Sequence, residues 1–186
     1  MTEQERTIQW RKGMIEQYPY LIPRNVFSGK VSEDYDYSYI VGEYCLPKGW
    51  FDLFLQMCED IREPLERSGH LNDFMFTQVK EKYGSMRLYN NGATSEVNEI
   101  LDKYEFLSTQ VCSECGKPAT KMTVGYICPY CDDCVEKCGE DIELADPVDI
   151  HTEYKRLRYG NGVKEELNIS VADEWERYLE RIGFVL

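Results

Sequence analysis

Two cysteine pairs limit what this chain can fold into more than any other feature. Cys112-Ser113-Glu114-Cys115-Gly116-Lys117 is answered by Cys128-Pro129-Tyr130-Cys131-Asp132-Asp133-Cys134. Two Cys-x-x-Cys units separated by a short spacer match a four-thiolate zinc site. Each unit delivers two soft ligands from one tight loop, and two units complete a tetrahedron. Gly116 follows the first pair, where a residue free to take positive φ lets the loop turn back. The second half offers three cysteines at three-residue spacing. Asp132-Asp133 suit the first turn of a helix that Val135, Lys137 and Cys138 can continue, which favours Cys131 with Cys134. The expected ligands are Cys112, Cys115, Cys131 and Cys134, with Cys128 as substitute. The competing reading is a set of reduced structural or redox thiols with no metal.

Such a set is structural in character. Catalytic zinc keeps an open position and commonly takes His, Asp or Glu ligands. The two histidines, His70 and His151, lie outside the cluster. His151-Thr152-Glu153 has the His-x-Glu of zinc deaminases, but it follows the cysteines, and the Pro-Cys-x-x-Cys that such enzymes require is missing. No nucleophile–base pair or phosphate loop is visible, so the chain reads as a protein without enzymatic activity.

Charge bears on partners. The chain carries net -13, with -6 in residues 1–110 and -7 in residues 111–186. That opposes a duplex-DNA binder, which needs clustered Lys and Arg, and favours a partner with a basic surface. The acids are densest just after the cysteines. Glu140, Asp141, Glu143 and Asp146 are the first candidates for partner contact. Arg156 and Arg158 with Tyr154 and Tyr159 form the one small basic–aromatic patch, the basis of an alternative reading as a nucleic-acid-binding zinc ribbon. There is no signal-peptide pattern and no apolar span near twenty residues, which suggests a soluble intracellular protein away from membranes. Eight cysteines without such a signal favour a reducing compartment and zinc over disulfides.

Hydrophobic periodicity predicts an α+β chain: helices packed on a small antiparallel hairpin, with a fused four-cysteine module of zinc-ribbon or treble-clef type. A helix is expected from Thr2 to Tyr18, ended by Pro19. In Asp34–Val41, Tyr35, Tyr37 and Tyr39 share one face of a strand. That stripe either meets a partner or covers a helix. Trp50, Leu53, Phe54, Met57, Ile61 and Leu65 recur at helical spacing, with Pro64 expected to kink or restart the helix. Phe74–Lys80 and Ser85–Tyr89 flank a glycine turn and read as a hairpin. Thr94 caps a helix bearing Val97, Ile100, Leu101 and Tyr104. Tyr154, Leu157 and Tyr159 read as a short strand or loop, and Tyr159-Gly160-Asn161-Gly162 as a turn. Ser170 caps a closing helix with Trp175, Tyr178 and Leu179. The expected units are an α+β domain in 1–110, the zinc module in 111–139, and an acidic segment with a C-terminal helix packed on the rest in 140–186.

Three pieces together carry a resemblance: Leu46-Pro47-Lys48-Gly49-Trp50, Gln78-Val79-Lys80-Glu81-Lys82-Tyr83-Gly84-Ser85-Met86-Arg87, and Val111–Pro118 with Tyr130–Cys134. The chain resembles a group of small zinc-bearing proteins of phages and other mobile elements of bacteria. It also looks like a zinc-containing anti-CRISPR inhibitor of Cas9, which would belong to that group. The resemblance covers roughly residues 46–138. It implies a stoichiometric inhibitor acting in the cytoplasm of a bacterial host, through nucleic-acid loading or domain movement. Cas9 holds guide and target in a strongly basic channel, which suits an acidic partner. An accessory or immunity protein for another basic partner fits the same charge.

Overall fold

The computed structural model describes residues 2–22, 24–25, 27–31, 46–137, 143–160 and 163–184. Within them the order is α1 (Glu3–Gln17), α2 (Phe51–Ser68), β1 (Met75–Lys82), β2 (Ser85–Asn91), α3 (Ser95–Ser108), β3 (Lys121–Thr123), β4 (Pro129–Tyr130), α4 (Asp132–Val135), β5 (Leu144–Pro147), β6 (Glu153–Gly160), β7 (Val163–Ser170) and α5 (Ala172–Arg181). The chain is mixed α+β. Its sheets are small and antiparallel: β1–β2, β4–β3–β5 and β6–β7. The tyrosine stripe Tyr35, Tyr37 and Tyr39 lies outside the described residues, as do Glu140, Asp141 and Cys138.

The core forms where four amphipathic faces meet. α2 contributes Leu53, Phe54, Met57, Ile61 and Leu65, and the hairpin adds Phe74, Phe76, Val79, Met86 and Leu88. α3 adds Val97, Leu101, Tyr104 and Leu107, and α5 adds Trp175, Tyr178 and Leu179. Burial of each such side chain stabilises the fold by about 1.5–3 kcal/mol before conformational entropy is counted. Tyr20 and Leu21, after the break at Pro19, close the open side against Phe74 and Phe76, whose rings meet edge-on at 5.1 Å.

α2 is a single helix through Pro64, so the restart that the sequence allows there does not occur. Proline removes one backbone donor. Buried Ile61 and Leu65 on either side keep the helix seated despite that loss. α3 begins where expected, with the Val97 N–H bonded to Thr94 Oγ1 at 3.2 Å. Thr94 thereby satisfies one orphan donor of the first turn.

The C-terminal third holds more strand than its composition suggests. β6 and β7 pair along their full length from Glu153↔Ser170 to Gly160↔Val163. Glu, Lys and Asn are weak strand formers. The ribbon forms because Tyr154, Arg156, Leu167 and Ile169 alternate onto its less exposed face, while Lys155 pairs with Glu166 at 2.6 Å across the strands. β7 runs to Ser170, whose Oγ accepts the Ala172 N–H at 3.3 Å as α5 begins. Among the described residues no helix is long and apolar enough to cross a membrane.

Candidate metal centre

The first cysteine loop is a knuckle closed by backbone bonds. The Gly116 N–H donates to Cys112 O at 3.0 Å and the Cys112 N–H to Lys117 O at 2.8 Å. Gly116 takes φ +80°, the left-handed conformation that turns the chain back. A Cβ there would also come within 2.9 Å of Gly49 O, so glycine is required twice over. The hairpin β3–β4 then brings the second pair round. Ser113 N–H and Oγ both bond Pro129 O, at 2.8 and 3.1 Å, fastening the knuckle to β4. Cys131 caps the short helix α4, and Cys134 lies in its first turn. Knuckle, hairpin and helix follow in the order of a treble clef.

The result gathers four sulfurs. The Sγ atoms of Cys112, Cys115, Cys131 and Cys134 all lie within 4.8 Å of one another. The Cys115–Cys131 separation is 3.5 Å. Four thiolates about 2.3 Å from one zinc sit about 3.8 Å apart, so the set fits a tetrahedral cation. Cys112, Cys131 and Cys134 are buried and Cys115 is exposed. Burial and the neighbouring cysteine sulfurs push the Cys134 thiol well above its ordinary value. Four thiols this close ionise together only when a cation takes up the charge. Cys128 is not in the set. It is buried in the β3–β4 connection, where its N–H donates to Thr123 Oγ1 at 2.9 Å.

A seat for the knuckle comes from far away in the chain. The 3-10 turn Lys48–Trp50 lies directly beneath it. The Gly49 N–H donates to Ser113 O at 3.0 Å, and Trp50 Nε1 donates to Val111 O at 2.9 Å. From α5, Tyr178 Oη donates to Gly116 O at 2.6 Å. Lys48 forms an ion pair with Glu114. The Leu-Pro-Lys-Gly-Trp segment thus gains a physical role: it carries the cysteine loop. The proline that extends the chain before a turn and the tryptophan N–H that needs a buried acceptor were the available signals.

Comparison with protein-family models, curated proteins and solved structures finds no match to this chain.

The acids around the cluster are not all free for a partner. Asp132 and Asp133 pair with Lys121 and Lys117 at 3.0 and 2.9 Å, and hydrogen bonding to those lysines holds both carboxyls below their ordinary value. Glu143 is exposed, and its carbonyl accepts the Val124 N–H at 2.9 Å. Asp146 lies in β5.

Two members of the basic–aromatic patch, Arg156 and Tyr154, are engaged by α3, and the side chains of Arg158 and Tyr159 lie outside those the structure describes. Arg156 pairs with Asp102 at 2.8 Å, and Tyr154 stacks on Phe106 with centroids 4.7 Å apart. The two residues line an open groove of about 610 Å³ between β2, α3 and β6, alongside Arg87 and Glu105. Arg87 is also paired, with Glu105 at 3.1 Å. Burial raises the Asp102 carboxyl even with Arg156 beside it. A strand of phosphates would have to displace these carboxylates.

Proposed function

We propose that this chain is a zinc-stabilised acidic interaction protein that acts as a stoichiometric inhibitor of a basic nucleic-acid-handling protein in a bacterial host. The observation that carries the reading is the closed set of four cysteine sulfurs, locked by Gly49, Trp50 and Tyr178 into the same core that bears the acidic surface. A closed thiolate set supplies folding energy, on the order of 10 kcal/mol in isolated zinc-finger peptides. A short cysteine-rich segment buries too little apolar area to order itself otherwise. Net charge -13 supplies steering toward a basic surface. The resemblance to zinc-bearing proteins of phages and mobile elements makes Cas9 the first partner to test, with blocked nucleic-acid loading or domain movement as the mode of inhibition.

The test pairs metal analysis with binding. Freshly purified reduced protein should carry one zinc per chain and bind Cas9, more tightly at low than at moderate salt. Cys134→Ser should lose the metal, disorder residues around the cluster and weaken binding indirectly. Absence of stoichiometric metal, or of Cas9 binding at both salt concentrations, would refute this assignment.

The nucleic-acid-binding reading is weaker on the pairing just described, since Arg87, Lys155 and Arg156 each have a carboxylate partner. A gel shift with single-stranded and duplex DNA separates the two.

A further inference from the structure

The β1–β2 turn and the β3–β4 connection meet tip to tip. Tyr83 and Gly84 form a two-residue turn with φ of 55° and 74°. Asn-Gly is the pair that adopts this geometry with least cost, and a bulky residue at the first position is strained. Yet Tyr83 is 70% exposed, so the core gains little from its ring. What the strained position achieves is display.

Beside it lies the other tip. A Cβ on Gly84 would stand 3.0 Å from Ile127 Cγ2 and 3.3 Å from Ile127 O, so the two tips lie in close contact. Tyr126, 73% exposed, donates its hydroxyl to Glu81 Oε2 at 2.9 Å. The other oxygen of that carboxylate accepts the Gly84 N–H at 2.8 Å. One side chain thereby clamps two loops into a single surface. Val124 and Leu144, both well exposed, extend it along β3 and β5.

Exposed aromatic and branched apolar side chains gathered on a rigid surface are the anatomy of a protein-binding anchor. Tyrosine brings large contact area at little cost in rotamer entropy. The geometry points to this tip, Tyr83, Tyr126 and Ile127 at its centre, as the anchor by which the chain engages a protein with apolar pockets in a basic surface. Glu81 and Glu143 border the tip and Lys82 Nζ lies over the Tyr83 ring at 5.3 Å, so the tip itself is mixed in charge; the molecule as a whole carries -13, so a second copy or an anionic bilayer would meet net like charge. The inference rests on the interaction-protein reading above and supplies its contact surface.

The experiment uses the full chain against guide-loaded Cas9 at moderate salt. Tyr83→Asn/Tyr126→Ser/Ile127→Ser removes the apolar tip without changing charge, and Glu63→Gln/Glu66→Gln on the exposed side of α2 is the control. The triple variant should retain its zinc and weaken binding about thirtyfold or more, the effect of losing a strong hot spot. The control should change it less than about threefold. Tyr83→Asn alone, which preserves the turn, keeps the test valid if the triple variant folds poorly, and should still weaken binding measurably. Wild-type affinity in a folded triple variant overturns the anchor and leaves the inhibitor reading standing. No binding by the wild type overturns both. Self-association of the wild type that the triple variant loses, or its binding to phosphatidylcholine–phosphatidylserine vesicles, overturns the anchor by giving the tip another occupant.

Discussion

Gly49 stands so close to the cysteine knuckle that a single methyl group cannot be added. A Cβ there would collide with Cys112 O and lie 2.7 Å from Gly116 N and 2.8 Å from Ser113 C. All three are backbone atoms of the loop that presents two of the four clustered cysteines, so no side chain can swing aside. Gly49→Ala is therefore expected to cost about 3 kcal/mol, at the upper end for overpacking. It should also shift Cys112 and Cys115 relative to Cys131 and Cys134. The measurement is the midpoint of urea unfolding together with zinc release to a chromogenic chelator. Faster release with a lowered midpoint is expected. Unchanged release would mean that the seat does not govern the ligands. Lys48, two atoms of backbone away and exposed, is the contrast: its ion pair with Glu114 lies in water and is worth at most about 1 kcal/mol.

α2 and α5 are joined by more than apolar contact. Asp60 accepts from both Arg177 nitrogens, at 2.7 and 2.6 Å, and from Tyr104 Oη on α3 at 2.6 Å. One carboxylate thus ties three helices. Gln56 adds bonds to Tyr104 Oη and to Glu174 O at 2.9 and 2.8 Å. Asp60→Ala should cost about 2 kcal/mol, because the buried tyrosine hydroxyl loses an acceptor while Arg177 remains half in water. At this chain length the melting temperature should fall by about 4–8 °C. Glu63→Ala removes only an exposed pair with Arg67 and should stay within about 0.5 kcal/mol. Equal effects from the two would show that the three-helix junction contributes nothing special. These ties also mark the limit of what one sequence reveals. The two cysteine pairs, the Thr94 cap and the α2 stripe are each made of residues a few positions apart, so local pattern shows them, with the helix start at Asp132-Asp133 favouring Cys131 and Cys134 over Cys128. Gly49 and Cys112, or Tyr178 and Gly116, are some sixty positions apart, and nothing local joins them. β7 was hidden for a different reason: Lys164, Glu165, Glu166 and Asn168 have little strand preference and take it from their β6 partners.

Across the whole molecule, buried phenols tie elements of the core to one another, and one of them, Tyr178, reaches the cysteine module. Tyr20 donates to Cys58 O, Tyr104 to Asp60 and Tyr178 to Gly116 O, and burial is the largest cause pushing each of them far above the usual phenol range. Tyr18 and Tyr154 are pushed up to about 12, again mainly by burial. A phenol whose folded value is raised holds its proton more tightly in the native state than in the unfolded chain. Its stabilising contribution is complete below about pH 10, the unfolded value, and is lost as pH climbs through the folded one. Lysines discharge in the same range, so the chain moves further from neutrality than -13 and self-repulsion adds to the loss. Stability should therefore fall steeply above pH 10. Phenolate absorbance near 295 nm should rise for these tyrosines only as helical circular dichroism disappears. Because Tyr178 bonds the knuckle itself, zinc release should follow the same curve and not precede it. Release of zinc at a pH where the helices and the phenols are still intact would show that the cysteine module stands independently of the core. The coupling argued from Gly49, Trp50 and Tyr178 would then be mechanical contact without thermodynamic consequence.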